Sequence, residues 1–236
     1  AVGGDGTIHE VAIGCLRRGF TMGLVPTGSG DDFAFALGVD RFDVDAAVRT
    51  LTNGHVRQVD VGVVNGEQFV NGFGSGFDAD VARRIEHAPR LYRGLGRYLF
   101  GIVTAMRDFA LREVQVSVDG QEVHDGPALM VGVQNGPRAG GSFLFAPTAS
   151  TDDGQLDVVI AGRFGRASTL ALLPSLMRGR HLGHPRIRLH RGRQVRVRWS
   201  APVVAHADGE GLGDQAASFD VCLEPARLTV LAPKPG

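Results

Sequence analysis

Two glycine-rich loops in the first forty residues, each between a short apolar stretch and a helical pattern, constrain this chain most. The first is Gly3-Gly4-Asp5-Gly6-Thr7, directly after Ala1-Val2. Beyond it Ile8, Val11, Ala12, Cys15 and Leu16 recur at i, i+3, i+4, i+7 and i+8, the period of a helix with one buried face. Thr7 and Glu10 have the spacing of a capping box, and Gly19 after Arg17 and Arg18 marks the helix end. Glycine lets a backbone approach an anion closely, and a helix N-terminus offers unpaired N–H groups and the positive end of its dipole. The second loop, Thr27-Gly28-Ser29-Gly30-Asp31-Asp32-Phe33, follows the apolar strand Met22-Gly23-Leu24-Val25-Pro26 and opens a short helix ending near Gly38. Either loop alone reads equally well as a plain turn. Ligands in open α/β sheets sit beyond the carboxyl ends of strands, so the two joints together predict one shared nucleotide-phosphate site.

A third stretch carries acid–base chemistry. Ala205-His206-Ala207-Asp208-Gly209-Glu210 follows the apolar run Pro202-Val203-Val204. One carboxylate of such a pair acts as general base towards a hydroxyl while the other orients it or helps hold metal. Without context, an ordinary Asp-Gly turn between strands is the stronger reading.

The rest of the chain sets the architecture. Asp43 caps a helix with Val44, Ala47, Val48 and Leu51 on its apolar face, and Asn53-Gly54 ends it. From there the pattern is mainly β, with strands at 55–64, 114–118, 128–133, 156–161, 186–190, 195–200, 219–223 and 227–231 and turns at Asn65-Gly66 and Asp119-Gly120. This predicts an α/β unit over 1–54 and a β sandwich over 55–236, whose last residues pack back on the first unit. Three helices interrupt the sandwich, at about 78–87, 94–111 and 167–177, and their apolar stripes are expected to be mostly core.

Lys plus Arg and Asp plus Glu each number 25, so no global charge draws the chain to nucleic acid. Its two cysteines, Cys15 and Cys222, make no disulfide framework and fit a reducing cytosol. No apolar run reaches the ~18–20 residues of a membrane span, and no signal peptide is visible. Residues 178–198 hold Arg178, Arg180, Arg186, Arg188, Arg191, Arg193, Arg196 and Arg198 with no acidic residue. Two strands alternating arginine with apolar residues, joined by an Arg191-Gly192-Arg193 turn, would gather these charges on one side. That side is either a solvated face or a dock for anionic membrane lipid. A single Trp, Trp199 at the end of the segment, argues against nucleic-acid stacking.

Gly3 to Thr7, Pro26 to Phe33 and Asp208-Gly209-Glu210, in that order, resemble the diacylglycerol kinase catalytic-domain family. These are soluble bacterial lipid kinases related to sphingosine kinases and, more distantly, to NAD kinases. Asn71-Gly72-Phe73-Gly74-Ser75-Gly76-Phe77-Asp78-Ala79 and the stretch from Ala146 to Asp157 resemble two further motifs, so the likeness spans the chain. The resemblance implies part of an α/β nucleotide-binding domain plus a mainly β sandwich domain, with ATP and Mg²⁺ as cofactors. It implies a lipid substrate, diacylglycerol before others, met by a cytoplasmic enzyme at the inner face of the membrane. Homodimers are common among its members. The nucleotide would meet Gly3, Gly4, Asp5, Gly6, Thr7, Ile8, His9, Ser29 and Asp31, with Asp5 acting through Mg²⁺ or by fixing the loop. Asp208 would take the proton from the lipid hydroxyl, and Glu210 would orient Asp208 or the metal. A structural Mg²⁺ would sit at Ser150, Asp153 and Gln155, held by the Asp153 carboxylate and two main-chain carbonyls. Two departures accompany it. The family's opening strand and Asn-Pro-x-Ser-Gly loop do not precede Ala1, as expected of a fragment, and Asp31 stands where the family commonly has Asn. An NAD kinase-like enzyme and a catalytically inactive lipid- or nucleotide-binding module are the other readings.

Overall fold

The computed structural model describes residues 1–89, 91–92, 95–213 and 215–234. Its first layer grows from the two glycine loops. Strand β1 (Val2–Gly3) runs parallel to β2 (Val25–Pro26), and each feeds a helix, α1 (Asp5–Arg18) and α2 (Asp32–Ala36). Gly19 closes α1 in the left-handed conformation (φ 69°), where glycine lacks the Cβ clash, and its N–H reaches the Cys15 carbonyl. The expected capping box does not form. The helix begins at Asp5 with Gly4 as its N-cap, which puts Thr7 inside the first turn. Helix α3 (Val44–Asn53) does carry its cap, with Asp43 accepting from the Ala46 N–H at 2.7 Å.

The remaining strands are β3 (His55–Val64), β4 (Glu67–Phe69), β5 (Gly72–Gly76), β6 (Arg112–Val118), β7 (Gln121–Ala128), β8 (Met130–Gln134), β9 (Leu156–Ala161), β10 (Ile187–Gly192), β11 (Gln194–Val203), β12 (Ala205–Ala207), β13 (Glu210–Gly211) and β14 (Ala216–Ala232). They form two six-stranded antiparallel sheets, β10-β9-β8-β5-β12-β13 and β4-β3-β14-β11-β6-β7. Alternating side chains such as Val64, Phe73, Val116, Val131, Val158, Val197 and Val221 fill the space between them. Helices α4 (Phe77–Glu86), α5 (Leu95–Ala105) and α6 (Arg166–Met177) pack on the outer side of the first sheet, with α5 ending in a 3₁₀ turn at Met106–Asp108.

Two differences from the sequence expectations concern how the strands pair. The strands expected at 219–223 and 227–231 are one strand, β14. It bulges between Glu224 and Leu228, where Ala226 takes φ 50° and donates to Asp60 Oδ1 at 2.7 Å. Its far end pairs with Met22, through Met22 N–H to the Thr229 carbonyl and Leu231 N–H to the Met22 carbonyl. Leu228 and Val230 thereby join Val59, Val61, Ile8 and Phe33 in a second core beneath α1 and α2, while Phe219 and Val221 of the same strand stay in the sandwich core.

The arginine-rich segment does not form a hairpin. Strand β10 is the edge of one sheet and pairs with β9, whereas β11 lies inside the other between β14 and β6. Arg196 and Arg198 point to solvent, Arg188 reaches the Val123 carbonyl at 3.0 Å, and Arg191 and Arg193 turn onto the 150–155 loop. The eight charges therefore do not share one face. The helices at 78–87, 94–111 and 167–177 are present with shifted ends. Among the described residues no helix is long and apolar enough to cross a membrane.

Candidate active site

The two glycine loops touch through backbone. A Cβ on Gly28 would lie 2.5 Å from Gly4 Cα, and one on Gly30 would lie 2.4 Å from Asp5 Oδ2, so only glycine permits the approach. The Asp5 carboxylate joins the loops by accepting the Asp31 N–H (2.9 Å) and the Asp32 N–H (2.7 Å) at the start of α2. Asp31 has φ 55°, a left-handed conformation that Asn and Asp tolerate, and its Oδ1 accepts the Gly28 N–H at 3.1 Å. An Asn side-chain carbonyl would make the same turn. Burial, then the nearby Asp5 charge, pushes the Asp31 carboxyl up, which softens the added charge. Of the other implied nucleotide residues, Thr7 folds its side chain over Gly3, and Ser29 offers its carbonyl to Arg41. The Ile8 side chain is core.

Asp32 and Arg138 were not singled out in the sequence. Asp32 is 7% exposed, accepts the Gly141 N–H on both oxygens, and pairs with Arg138 Nε at 2.9 Å. Burial first, and then the Asp5 charge, pushes its carboxyl up to about 6 against those donors. Arg138 also donates to the Gly30 carbonyl at 2.7 Å, locking the second loop from outside. Arg138 lies in an irregular segment with no periodic signal, so only its place in three dimensions reveals it.

The Asp208-Gly209 pair is both a turn and part of the site. With φ 52° and 92° it joins β12 to β13, whose residues His206 and Gly211 pair across the hairpin. Asp208 Oδ1 accepts the N–H groups of Asn71 (2.8 Å) and Gly72 (2.9 Å), and Oδ2 accepts the Val70 N–H (2.8 Å) and faces His9 Nδ1 (2.8 Å). A carboxylate has about four acceptor directions, and these partners take them all. Glu210, two residues on, is exposed. Its Oε1 lies 3.2 Å from where a Cβ on Gly6 would be, and it has no protein donor among the described residues.

The hydrogen bond to Asp208 raises the His9 pKa above its ordinary 6.5, outweighing burial, with the charges of Asp208, Glu210 and Glu10 adding to it. The ion pair therefore supplies stability that is fully present below the unfolded value and lost as pH rises through the higher folded one. His9→Gln removes that charge. The Tm gap between the natural protein and this variant is expected to be widest below pH 6.5 and to narrow in alkali. A gap that stays constant or widens with pH would show that His9 contributes no charge to the pair.

One cavity of about 520 Å³ ties the site to the helices. At its polar end lie Gly4, Asp5, Gly6, Gly28, Ser29, Asp208 and Glu210. It continues past the Asp78–His206 pair (3.5 Å) to an apolar end formed by Val81, Ile85 and Ile102 of α4 and α5, Phe143 and Phe145, and Leu172, Leu173 and Leu176 of α6. The helix stripes expected to be mostly core thus serve twice. Ile102 is 4% exposed and packs with Val81 and Ala105, yet it also walls the cavity.

Known proteins resemble this chain in sequence and in fold. The family description "Diacylglycerol kinase catalytic domain" matches residues 1–64, and "YegS C-terminal NAD kinase beta sandwich-like domain" matches residues 71–232. The diacylglycerol kinase of Bacillus subtilis (strain 168) is 31% identical over 212 residues, covering 89% of this chain and 70% of that protein. The chain belongs to the diacylglycerol kinase family. It spans only 54% of a Klebsiella pneumoniae relative that is 34% identical. The fold of a diacylglycerol kinase from Bacillus anthracis superimposes with a TM-score of 0.72 at 22% identity, over 99% of this chain and 75% of that one. An NAD kinase from Archaeoglobus fulgidus, solved with ATP, shares the fold more distantly, with a TM-score of 0.51 at 13% identity over 99% of this chain and 76% of that one.

The one charged ligand of the metal loop implied by that family, the Asp153 carboxylate, is already engaged on both oxygens, and so the loop as folded here does not fit a divalent ion. Asp153 faces Arg191 through Oδ2 and accepts the Gln155 N–H through Oδ1 at 3.0 Å. The Ser150 hydroxyl donates to Asp152 at 2.7 Å, and Arg193 Nε occupies the Gly154 carbonyl at 2.9 Å.

Proposed function

We propose that this chain is the catalytic part of an ATP-dependent lipid kinase that phosphorylates the hydroxyl of diacylglycerol or a related lipid. The observation that carries the reading is one continuous cavity, which joins a backbone-lined cradle suited to phosphate to a hydrocarbon-lined interior. A soluble dinucleotide has no use for the apolar end, so the geometry favours lipid over NAD⁺.

Phosphoryl transfer needs mostly positioning and charge neutralisation. The N–H groups at the start of α1 and the loop held by Asp5 would receive the nucleotide phosphates. The carboxylates around them repel bare phosphate, so ATP would enter as its Mg²⁺ complex. Glu210, free of protein donors among the described residues, would take the proton from the lipid hydroxyl as that oxygen attacks the γ-phosphorus and ADP departs. Asp208 would act as a positioning residue, its charge spent on three backbone N–H groups and His9. This exchanges the roles expected from the sequence. Asp5 would fix the loop, since both of its oxygens are already engaged.

Access to a bilayer has its own support. Leu99 and Val103 of α5 and Leu170 and Met177 of α6 are exposed large apolar side chains on helices that wall the cavity, and Arg178 and Arg180 follow directly. Such a face suits peripheral attachment to an anionic membrane. The test is transfer of labelled phosphate from Mg·ATP to a lipid extract by the full-length protein. A labelled lipid whose yield depends on Glu210 supports the reading. Labelled NADP⁺ in its place, or ATP binding with no transfer to any acceptor, overturns it.

A further inference from the structure

The 150–155 loop meets two arginines where its family resemblance implies a metal ion. Arg191 belongs to β10 and Arg193 to the link into β11, and the register of the sheet sets the position of Arg191. Arg191 stands directly across from Asp157 in the antiparallel pair of β10 with β9, and Gly192 stands across from Leu156. Asp157 begins just beyond the loop, so the guanidinium of Arg191 is delivered between the Asp157 and Asp153 carboxylates. Its Nε lies 3.5 Å from Asp157 Oδ2, on a side chain only 1% exposed. Neither Asp157 oxygen makes a hydrogen bond of ordinary geometry among the described residues, and Arg191 and the Thr148 hydroxyl are the groups that face it. Arg193 then donates to the Gly154 carbonyl at 2.9 Å.

The other acidic groups are accounted for. Asp152 pairs with Arg57 at 2.9 Å. Asp60 accepts the Gly154 N–H (2.8 Å) and the Ala226 N–H (2.7 Å), and so ties the loop to the β14 bulge.

We infer that Arg191, with Arg193, takes the place of the structural cation, so that this loop folds without a divalent metal. A guanidinium is permanently charged and presents five N–H donors in a rigid fork, which lets one group serve two carboxylates. Mg²⁺ demands small octahedral oxygen coordination, and a fixed positive charge on Asp153, the one carboxylate of the implied ligand set, opposes its binding there. The countercharge is covalently part of the chain, so it cannot be lost by dilution or chelation.

The inference is independent of which substrate the site takes, and stability and metal content test it. Purified protein without nucleotide is expected to unfold at the same temperature, within about 1 °C, in excess EDTA and in millimolar MgCl₂ or CaCl₂, because nothing binds the native state selectively. It should retain no stoichiometric metal after dialysis against either ion. Arg191→Met is expected to unfold several degrees lower in EDTA and to recover part of that loss when Mg²⁺ or Ca²⁺ is added. One bound Mg²⁺ per natural chain that Asp153→Asn abolishes would overturn the inference. A Mg²⁺-dependent Tm rise in the natural protein that Asp153→Asn removes would do the same. Should Arg191→Met not fold, those two measurements on the natural protein and Asp153→Asn still decide.

Discussion

Glu210→Gln is expected to lower kcat by about a hundred- to ten-thousandfold at neutral pH, the range for losing a general base, while ATP still binds. Glutamine keeps the size of the side chain and removes only its capacity to take a proton. The paired expectation concerns Asp208. Asp208→Asn places an NH₂ group against backbone N–H donors from Val70, Asn71 and Gly72, and it discards the charge that His9 faces. Hydrogen bonds to charged groups contribute about 1.5–3 kcal/mol each, so this variant should lose stability as well as activity. Urea unfolding alongside turnover separates the two. A Glu210→Gln protein that works at the natural rate, beside an Asp208→Asn protein that is equally stable and inactive, would return the proton to Asp208.

Filling the apolar end of the cavity should change which lipids react without harming the chemistry. Leu173 is a half-buried residue of α6 that lines this end, away from the glycine loops. In Leu173→Trp the added ring occupies space meant for hydrocarbon. For long-chain diacylglycerol kcat/KM should fall about tenfold or more, since even one misfitted methylene is worth that much in an apolar pocket. A short-chain, water-soluble diacylglycerol should react within about threefold of the natural rate, because its chains stop short of the obstruction. Equal losses on both substrates would mean that the tails lie elsewhere.

Local chemistry made much of this protein legible in its sequence. The glycine loops, the Asp43 cap, the left-handed Gly19 and the Asn65-Gly66, Asp119-Gly120 and Asp208-Gly209 turns all depend on residues within a few positions of one another. Of the double character of Asp208-Gly209, the turn is local, whereas its place in the site comes from contacts far along the chain. What sequence reading missed depends on distance. Asp32 meets Arg138 across 106 positions, and Asp208 meets the Asn71 N–H across 137. No spacing rule reaches that far, and backbone donors leave no mark in the side-chain pattern. The arginine-rich segment failed for a related reason. Its alternation was real, but alternation reports which faces a strand has and not which sheet it joins, and β10 and β11 joined different ones.

Strand β14 threads both hydrophobic cores, and this gives the molecule a dependency its site alone would not suggest. Loss of the stretch from Leu228 onward would strip support from beneath α1 and α2 and disturb the glycine loops without touching a residue of either. The two halves are therefore poor candidates for exchange by recombination. A sandwich borrowed from another kinase would have to bring a final strand already fitted to its host's glycine loops.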